Sequence, residues 1–194
     1  MNIKHYILIG LSLLAFASCS EKSDAVEEFP DWRNKNEQFF EAAYLSSDYD
    51  LKLRKYSLSD ETATKSTDYI LVEKLSDGMA LDSNTPYLND TVQIHYVGTL
   101  LPSTTYTTGY VFDKSYQVPF NSETAVPRKF AVNGLVSGFT TALLNMHRGE
   151  HWRVTIPYQL GYGTTVNDAI PAYSTLIFEI ILEDFWTKKE GDRY

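Results

Sequence analysis

Apolar and polar residues alternating at a period of two constrain this chain more than any other feature. Val92, Ile94 and Tyr96 alternate with Gln93, His95 and Val97, and Trp152, Val154 and Ile156 alternate with Arg153 and Thr155. Leu176, Phe178, Ile180 and Leu182 form another apolar face opposite Glu179 and Glu183. Successive side chains of a strand point to opposite sides, so each stretch predicts a strand with one apolar face. Tyr69-Ile70-Leu71-Val72 adds a compact apolar run. Such segments joined by turn-rich loops predict an antiparallel sheet with one solvated face, and place His95 on that face.

Only one segment of the second half has helical spacing. Phe139, Ala142, Leu143 and Met146 follow i, i+3, i+4, i+7, and the stretch stops at His147-Arg148-Gly149, where positive charge and a glycine suit a helix C-terminus. A short amphipathic helix lying on an antiparallel sheet buries both apolar faces, so the expected class is α+β. A further helix is expected nearer the N-terminus, with Asp31 as its N-cap and Trp32, Phe39, Phe40, Ala43 and Tyr44 on one face. That face either packs on the main domain or self-associates. Residues 46–66, rich in Ser, Thr, Asp and Lys, read as a linker.

Residues 1–18 read as an export signal. Lys4 supplies the charge, and the run from Ile7 to Ala15 is apolar but too short to span a bilayer. Two readings of its end compete. Phe16-Ala17-Ser18-Cys19 resembles the lipobox of bacterial lipoproteins, in which cleavage leaves Cys19 as a lipid-modified first residue, although Phe16 replaces the usual Leu. Ala15-Phe16-Ala17 also fits the A-x-A pattern that releases a soluble periplasmic protein. Cys19 is the only cysteine, so no internal disulfide staples the fold. Acyl chains on it, at ~0.8 kcal/mol per buried CH₂, would anchor the chain stably to a membrane.

The remaining organisation follows from composition. With 194 residues, 43% of them hydrophobic, the chain can build one ordinary core with appendages. The expected division is a leader at 1–18, a polar tether with the first helix and linker at 19–66, a folded domain at 67–187 and a polar tail at 188–194. A formal charge of -8 and the lack of a basic stripe argue against a nucleic-acid partner.

Tyr96, Phe112-Asp113, Val136, Phe139, Tyr162-Gly163, Ile170-Pro171 and Phe178 fall on or beside the strand-patterned segments. They would converge on one concave, mostly apolar pocket with a few polar anchors. Each also has an ordinary reading: Phe139 and Phe178 as core, Tyr96 as a strand aromatic and Tyr162-Gly163 as a turn. Asp113 is sharper, because a carboxylate in an apolar stretch is costly to bury unless hydrogen-bonded. No obvious nucleophile or phosphate loop accompanies them. His147 and His151 have the spacing of helical metal ligands, but Gly149 ends the helix between them, and Ser137 lacks a hydrolase elbow. Neither a metal nor a cofactor is expected.

In order along the chain, Ile94-His95-Tyr96-Val97-Gly98, Val111-Phe112-Asp113-Lys114-Ser115, Leu135-Val136-Ser137-Gly138-Phe139, Met146-His147-Arg148-Gly149-Glu150, Leu160-Gly161-Tyr162-Gly163 and the stretch from Ile170 to Glu179 resemble the successive motifs of FKBP-type peptidyl-prolyl cis-trans isomerases. The resemblance spans residues 68 to 184. It implies a bent antiparallel sheet wrapped around the short helix, with the pocket between them. It assigns Tyr96, Asp113 and Tyr162 to catalysis, and Phe112, Phe130, Leu135, Val136, Phe139, Ile170 and Phe178 to substrate binding. By the same resemblance, Phe139 stands where the family has a Trp forming the pocket floor. The Val136 N–H and the Tyr162 hydroxyl would donate to substrate carbonyls, and Ile170 would belong to a flap. Asp113 matches a buried carboxylate that hydrogen-bonds near Tyr96 and meets polar groups of macrolide ligands.

Besides Phe139 in place of the Trp, the sequence departs from the family pattern in three places. The stretch between Thr99 and Val111 is longer than in compact members. Arg128 replaces an aromatic at the pocket entrance, and residues 164–169 lack the histidine and glycines common there. The function implied is a peptidyl-prolyl isomerase or folding helper that acts on proline-containing segments of exported proteins from a lipid anchor in the cell envelope. The alternative is a catalytically weak descendant that uses the same groove as a binding module of an envelope complex.

Overall fold

The computed structural model describes residues 27–77 and 83–187. The leader, Cys19, residues 20–26 of the tether and the tail 188–194 lie outside the described residues. The elements, in order, are α1 (Trp32–Leu45), β1 (Leu51–Arg54), β2 (Tyr69–Ser76), β3 (Asp90–Thr99), β4 (Val111–Lys114), β5 (Arg128–Ala131), α2 (Ser137–Leu143), β6 (His151–Ile156) and β7 (Leu176–Thr187), with short 3-10 turns at Ser66–Asp68, Val132–Gly134 and Tyr158–Leu160. No described helix is long and apolar enough to cross a membrane.

The strands form one antiparallel sheet in the order β1-β2-β6-β7-β3-β4, and β5 also pairs with β3. One edge of β3 is therefore shared. β4 pairs with residues 97–99 and β5 with residues 91–94. Between them the ladder passes to Ser115, whose N–H donates to the Tyr96 carbonyl at 2.9 Å and whose Oγ accepts from the Tyr96 N–H at 2.8 Å. This splitting points Asp113 and Arg128 toward each other beside Tyr96. Residues 46–66, read from composition as a linker, contain β1, which extends the sheet by pairing Leu51–Arg54 with Tyr69–Val72.

The main core lies between the sheet and α2, where Ile70, Val72, Ile94, Val154, Ile156, Leu176 and Ile180 meet Phe139, Ala142 and Leu143. Burying a side chain of this size contributes about 1.5–3 kcal/mol. Close approach needs Gly138, because a Cβ there would stand 2.3 Å from Ile156 Cγ2. α2 is shorter than the periodicity predicts. It ends at Leu143, so Met146 and the His147-Arg148-Gly149 stop lie beyond it; Met146 still reaches the core.

The other face of the sheet is less solvated than the alternation implies. Leu71 is covered by Phe40 and Ala43 of α1, so Ile70, Leu71 and Val72 are all fully buried, and the helical stripe packs on the domain. His95, predicted at the surface, is only 6% exposed. Tyr116 and Phe120, from the loop between β4 and β5, cover it edge-on at 6.4 and 5.0 Å, and its Nε2 lies 3.4 Å from Glu183. A pattern of period two records side-chain polarity but not the loops that fold over a face. Asp31 does occupy the N-cap of α1, but in the left-handed region at φ 49° and without capping through its side chain, which accepts from Asn34 Nδ2 instead.

Candidate active site

Every residue assigned to the pocket from the resemblance lines one cavity of about 350 Å³: Tyr96, Phe112, Asp113, Phe130, Leu135, Val136, Phe139, Tyr162, Ile170 and Phe178. The strands and α2 bring them together because the sheet bends around the helix. β3 supplies Tyr96, β4 supplies Phe112 and Asp113, β7 supplies Phe178, and α2 with its preceding turn supplies Val136 and Phe139.

Aromatic rings form the floor and walls. Phe139 meets Phe178 at 4.8 Å and 82°, and meets Tyr96 at 6.3 Å and 90°. Phe112 stands on Phe178 at 5.4 Å and 89°, while Phe130 closes the side of Tyr96 at 5.8 Å. Edge-to-face pairs of this kind place the positive edge of one ring on the negative face of the next, each stabilising by about 0.5–1.5 kcal/mol beyond area burial. Gly98 makes the arrangement possible. A Cβ at that position would lie 2.5 Å from Phe112 Cζ and 2.7 Å from Phe178 Cε1, so any larger residue would push these rings apart.

Polar groups are few. The Tyr96 hydroxyl donates to Asp113 Oδ2 at 2.5 Å. Burial, then this bond to a carboxylate, holds the Tyr96 phenol well above the ordinary tyrosine range. Tyr162 is raised as well, by burial first and then by the charges of Asp113 and Asp168. Both phenols therefore remain proton donors at neutral pH.

Asp113 itself is not buried as the resemblance implies. It sits on an edge strand with its side chain 49% exposed, Arg128 Nη1 lies 3.9 Å from its Oδ1, and its own neighbour's N–H, that of Lys114, donates to it at 2.8 Å. Arg128 Nη2 also donates to the Lys114 carbonyl at 3.3 Å, so this guanidinium stands at the rim where the family pattern has an aromatic.

Asn167, Asp168 and Ala169 also line the cavity and were not assigned from sequence. Asn167 and Ile170 exchange two backbone hydrogen bonds, at 3.0 and 2.8 Å, with Asp168 at φ 46° in the turn between them. The Asn-Asp dipeptide is the legible signal, since both residues tolerate the left-handed region.

The site is an apolar cup with phenol donors and two carboxylates, Asp113 and Asp168, in its lining. It can desolvate a planar amide and hydrogen-bond its carbonyls.

A family model described as FKBP-type peptidyl-prolyl cis-trans isomerase matches residues 82–183. The FKBP-type 22 kDa peptidyl-prolyl cis-trans isomerase of Escherichia coli is 38% identical over 98 residues, covering 50% of this chain and 42% of that protein. FkpA of Escherichia coli, another FKBP-type isomerase, is 33% identical over 107 residues, 55% of this chain and 35% of its own. The alignments thus span less than half the length of these curated relatives. Among solved structures, a peptidyl-prolyl cis-trans isomerase from Pseudomonas syringae pv. tomato superposes with a TM-score of 0.55 at 27% identity, covering 79% of this chain and 92% of that one.

Proposed function

The chain belongs to the FKBP-type peptidyl-prolyl cis-trans isomerase family, and from that membership we propose that it rotates X–Pro bonds in exported proteins through the aromatic cavity, without forming a bond to them. The observation that carries this reading is the convergence of Tyr96, Asp113, Tyr162, Phe139 and Phe178 on one cup. Resonance stiffens the C–N bond and sets a barrier of ~18–20 kcal/mol. The planar amide is more charge-separated than the twisted one, so a dry pocket favours the twist. Val136 N–H and the Tyr162 hydroxyl hold substrate carbonyls, and donors matched to the twisted geometry bind it better than either ground state. Lowering the barrier by about 4 kcal/mol accelerates rotation roughly a thousandfold.

The leader supports action outside the cytoplasm, with Cys19 as the point of lipid attachment. Incorporation of labelled fatty acid that disappears in Cys19→Ala tests that anchor.

The isomerase test is a proline-peptide assay on purified protein lacking the leader and Cys19. Faster isomerisation of Leu-Pro and Phe-Pro peptides is expected. Peptide or macrolide binding without any acceleration would favour the binding-module reading, for which the Arg128–Asp113 pair at the rim and Phe139 in place of Trp are the motivating observations.

A further inference from the structure

The segment that closes the pocket is held by a helix lying outside the family match. Trp32 of α1 is 7% exposed and donates from Nε1 to Ser174 Oγ at 2.9 Å. Ser174 Oγ in turn donates to the Pro171 carbonyl at 2.7 Å. One turn along, the fully buried Asn36 donates from Nδ2 to the Trp32 carbonyl at 2.7 Å and accepts from the Thr175 N–H at 2.7 Å. Glu37 accepts from Arg33 Nε at 2.9 Å and from the Tyr158 hydroxyl at 3.1 Å. The Arg33 guanidinium also lies 4.7 Å from the centre of the Tyr173 ring, which packs edge-on against Tyr158 at 5.2 Å.

These contacts fall at both ends of one loop. The Gly163 N–H donates to the Tyr158 carbonyl at 2.8 Å, and the Gly163 carbonyl accepts from the Tyr173 N–H at 3.0 Å. Tyr162 immediately precedes Gly163, and Ile170 immediately precedes Pro171; both line the cavity. Residues 164–169 between them are exposed throughout. Ile170 is buried in the core and Tyr162 packs on its edge, so anchorage at the loop's ends adds to that packing in fixing where the two sit. Tyr173 is held at φ 64°, a conformation that a non-glycine residue keeps only where its neighbours over-determine it. A buried amide such as Asn36 specifies one register, because a slip of the loop would leave its Oδ1 without the Thr175 N–H.

We propose that α1 is a clamp on the pocket, with Trp32 and Asn36 as positioning residues that act through Ser174 and Thr175 on the loop carrying Tyr162 and Ile170. The proposal rests on the isomerase reading for its effect on turnover but not for its effect on the loop. Without the clamp the loop samples positions in which Tyr162 and Ile170 leave the cavity, and a smaller competent fraction weakens peptide binding in proportion.

Hydrogen exchange and steady-state kinetics on the full chain test it. Trp32→Phe keeps an aromatic ring, smaller than the indole, and removes the donor; Ser174→Ala removes the relay from the other side without touching α1, and Ser174→Thr keeps the hydroxyl. In the first two variants, amides between 162 and 173 are expected to exchange roughly fivefold to tenfold faster, the loss of a hydrogen bond of ordinary net worth. KM for a Leu-Pro peptide rises with the open fraction of the loop, by no more than that factor, while kcat stays within about twofold. Ser174→Thr restores both, and Leu45→Ala, at the exposed end of α1, changes neither. Unchanged exchange at 162–173, or equal acceleration in β3 and β7 as general destabilisation would give, overturns the clamp. If the unsubstituted protein does not isomerise proline peptides, the function proposed above fails while the exchange comparison still decides the clamp.

Discussion

The Tyr96 hydroxyl and Asp113 Oδ2 are joined at 2.5 Å across the paired strands β3 and β4, a bond between a phenol 4% exposed and a carboxylate that faces solvent. A short bond to an ionised acceptor fixes the phenol's orientation and with it one wall of the cup. Tyr96→Phe retains the ring contacts with Phe139, Phe130 and Phe178 while removing that bond. The variant is expected to lose about 1–2 kcal/mol of stability in urea unfolding. A several-fold fall in kcat/KM should accompany it, and Asp113→Ala should show the same fall with the fold intact. Wild-type turnover in both variants would remove the pair from the site.

Phe139 and Tyr162 separate packing from chemistry. Phe139 is buried at the centre of the ring cluster, so Phe139→Ala is expected to cost about 3–5 kcal/mol and to abolish peptide binding. Tyr162→Phe removes only a hydroxyl from a half-buried ring and should leave the unfolding midpoint nearly unchanged while lowering kcat/KM. Parallel melts and proline-peptide assays of the two variants check this difference.

At Gly98, the space for a side chain is already occupied by Phe112 and Phe178. Gly98→Ala should displace both rings, destabilise the domain by about 1–3 kcal/mol and reduce affinity for proline peptides. Intact binding in a stable Gly98→Ala protein would show that the cup does not depend on those ring positions.

Stability is expected to fall on both sides of neutrality. Burial pushes Tyr116 up to about 12 and Tyr96 higher still. Above pH 10, the ordinary value for tyrosine, the unfolded chain gives up protons that the folded chain retains, so stability is whole below pH 10 and declines as pH rises past it. Burial holds His95 and His151 below the ordinary 6.5. As pH falls through that value the unfolded chain takes up protons that the folded chain refuses, and stability declines again. Urea midpoints measured from pH 5 to 11 should show a plateau with two falling limbs. His95→Gln should flatten the acid limb, because it removes the titrating ring packed beneath Tyr116 and Phe120 and facing Glu183.

Much of the site was legible because its signals are local. Tyr96 and Phe178 lie on the apolar faces of alternating strands, Phe139 on a helical stripe, and Phe112-Asp113 and Tyr162-Gly163 in recognisable short motifs. Asn167, Asp168 and Ala169 were missed, since a polar turn carries no mark of the cavity it borders. The exposure of Asp113 was also hidden, because strand position within a sheet cannot be read from residues on the same strand.

Period, side-chain chemistry and motif order, all carried by near neighbours, marked the core strands β2, β3, β6 and β7, the position of α2 and most of the residues that line the cup. Tertiary structure alone decided which faces are covered and what holds the loops. Loop residues bury His95, α1 seals the outer face at Leu71, β1 turns a polar stretch into an edge strand, and Trp32 reaches Ser174 across 142 positions of sequence. Burial and hydrogen-bond partnership belong to pairs of residues brought together by folding, and no single segment encodes both members of such a pair.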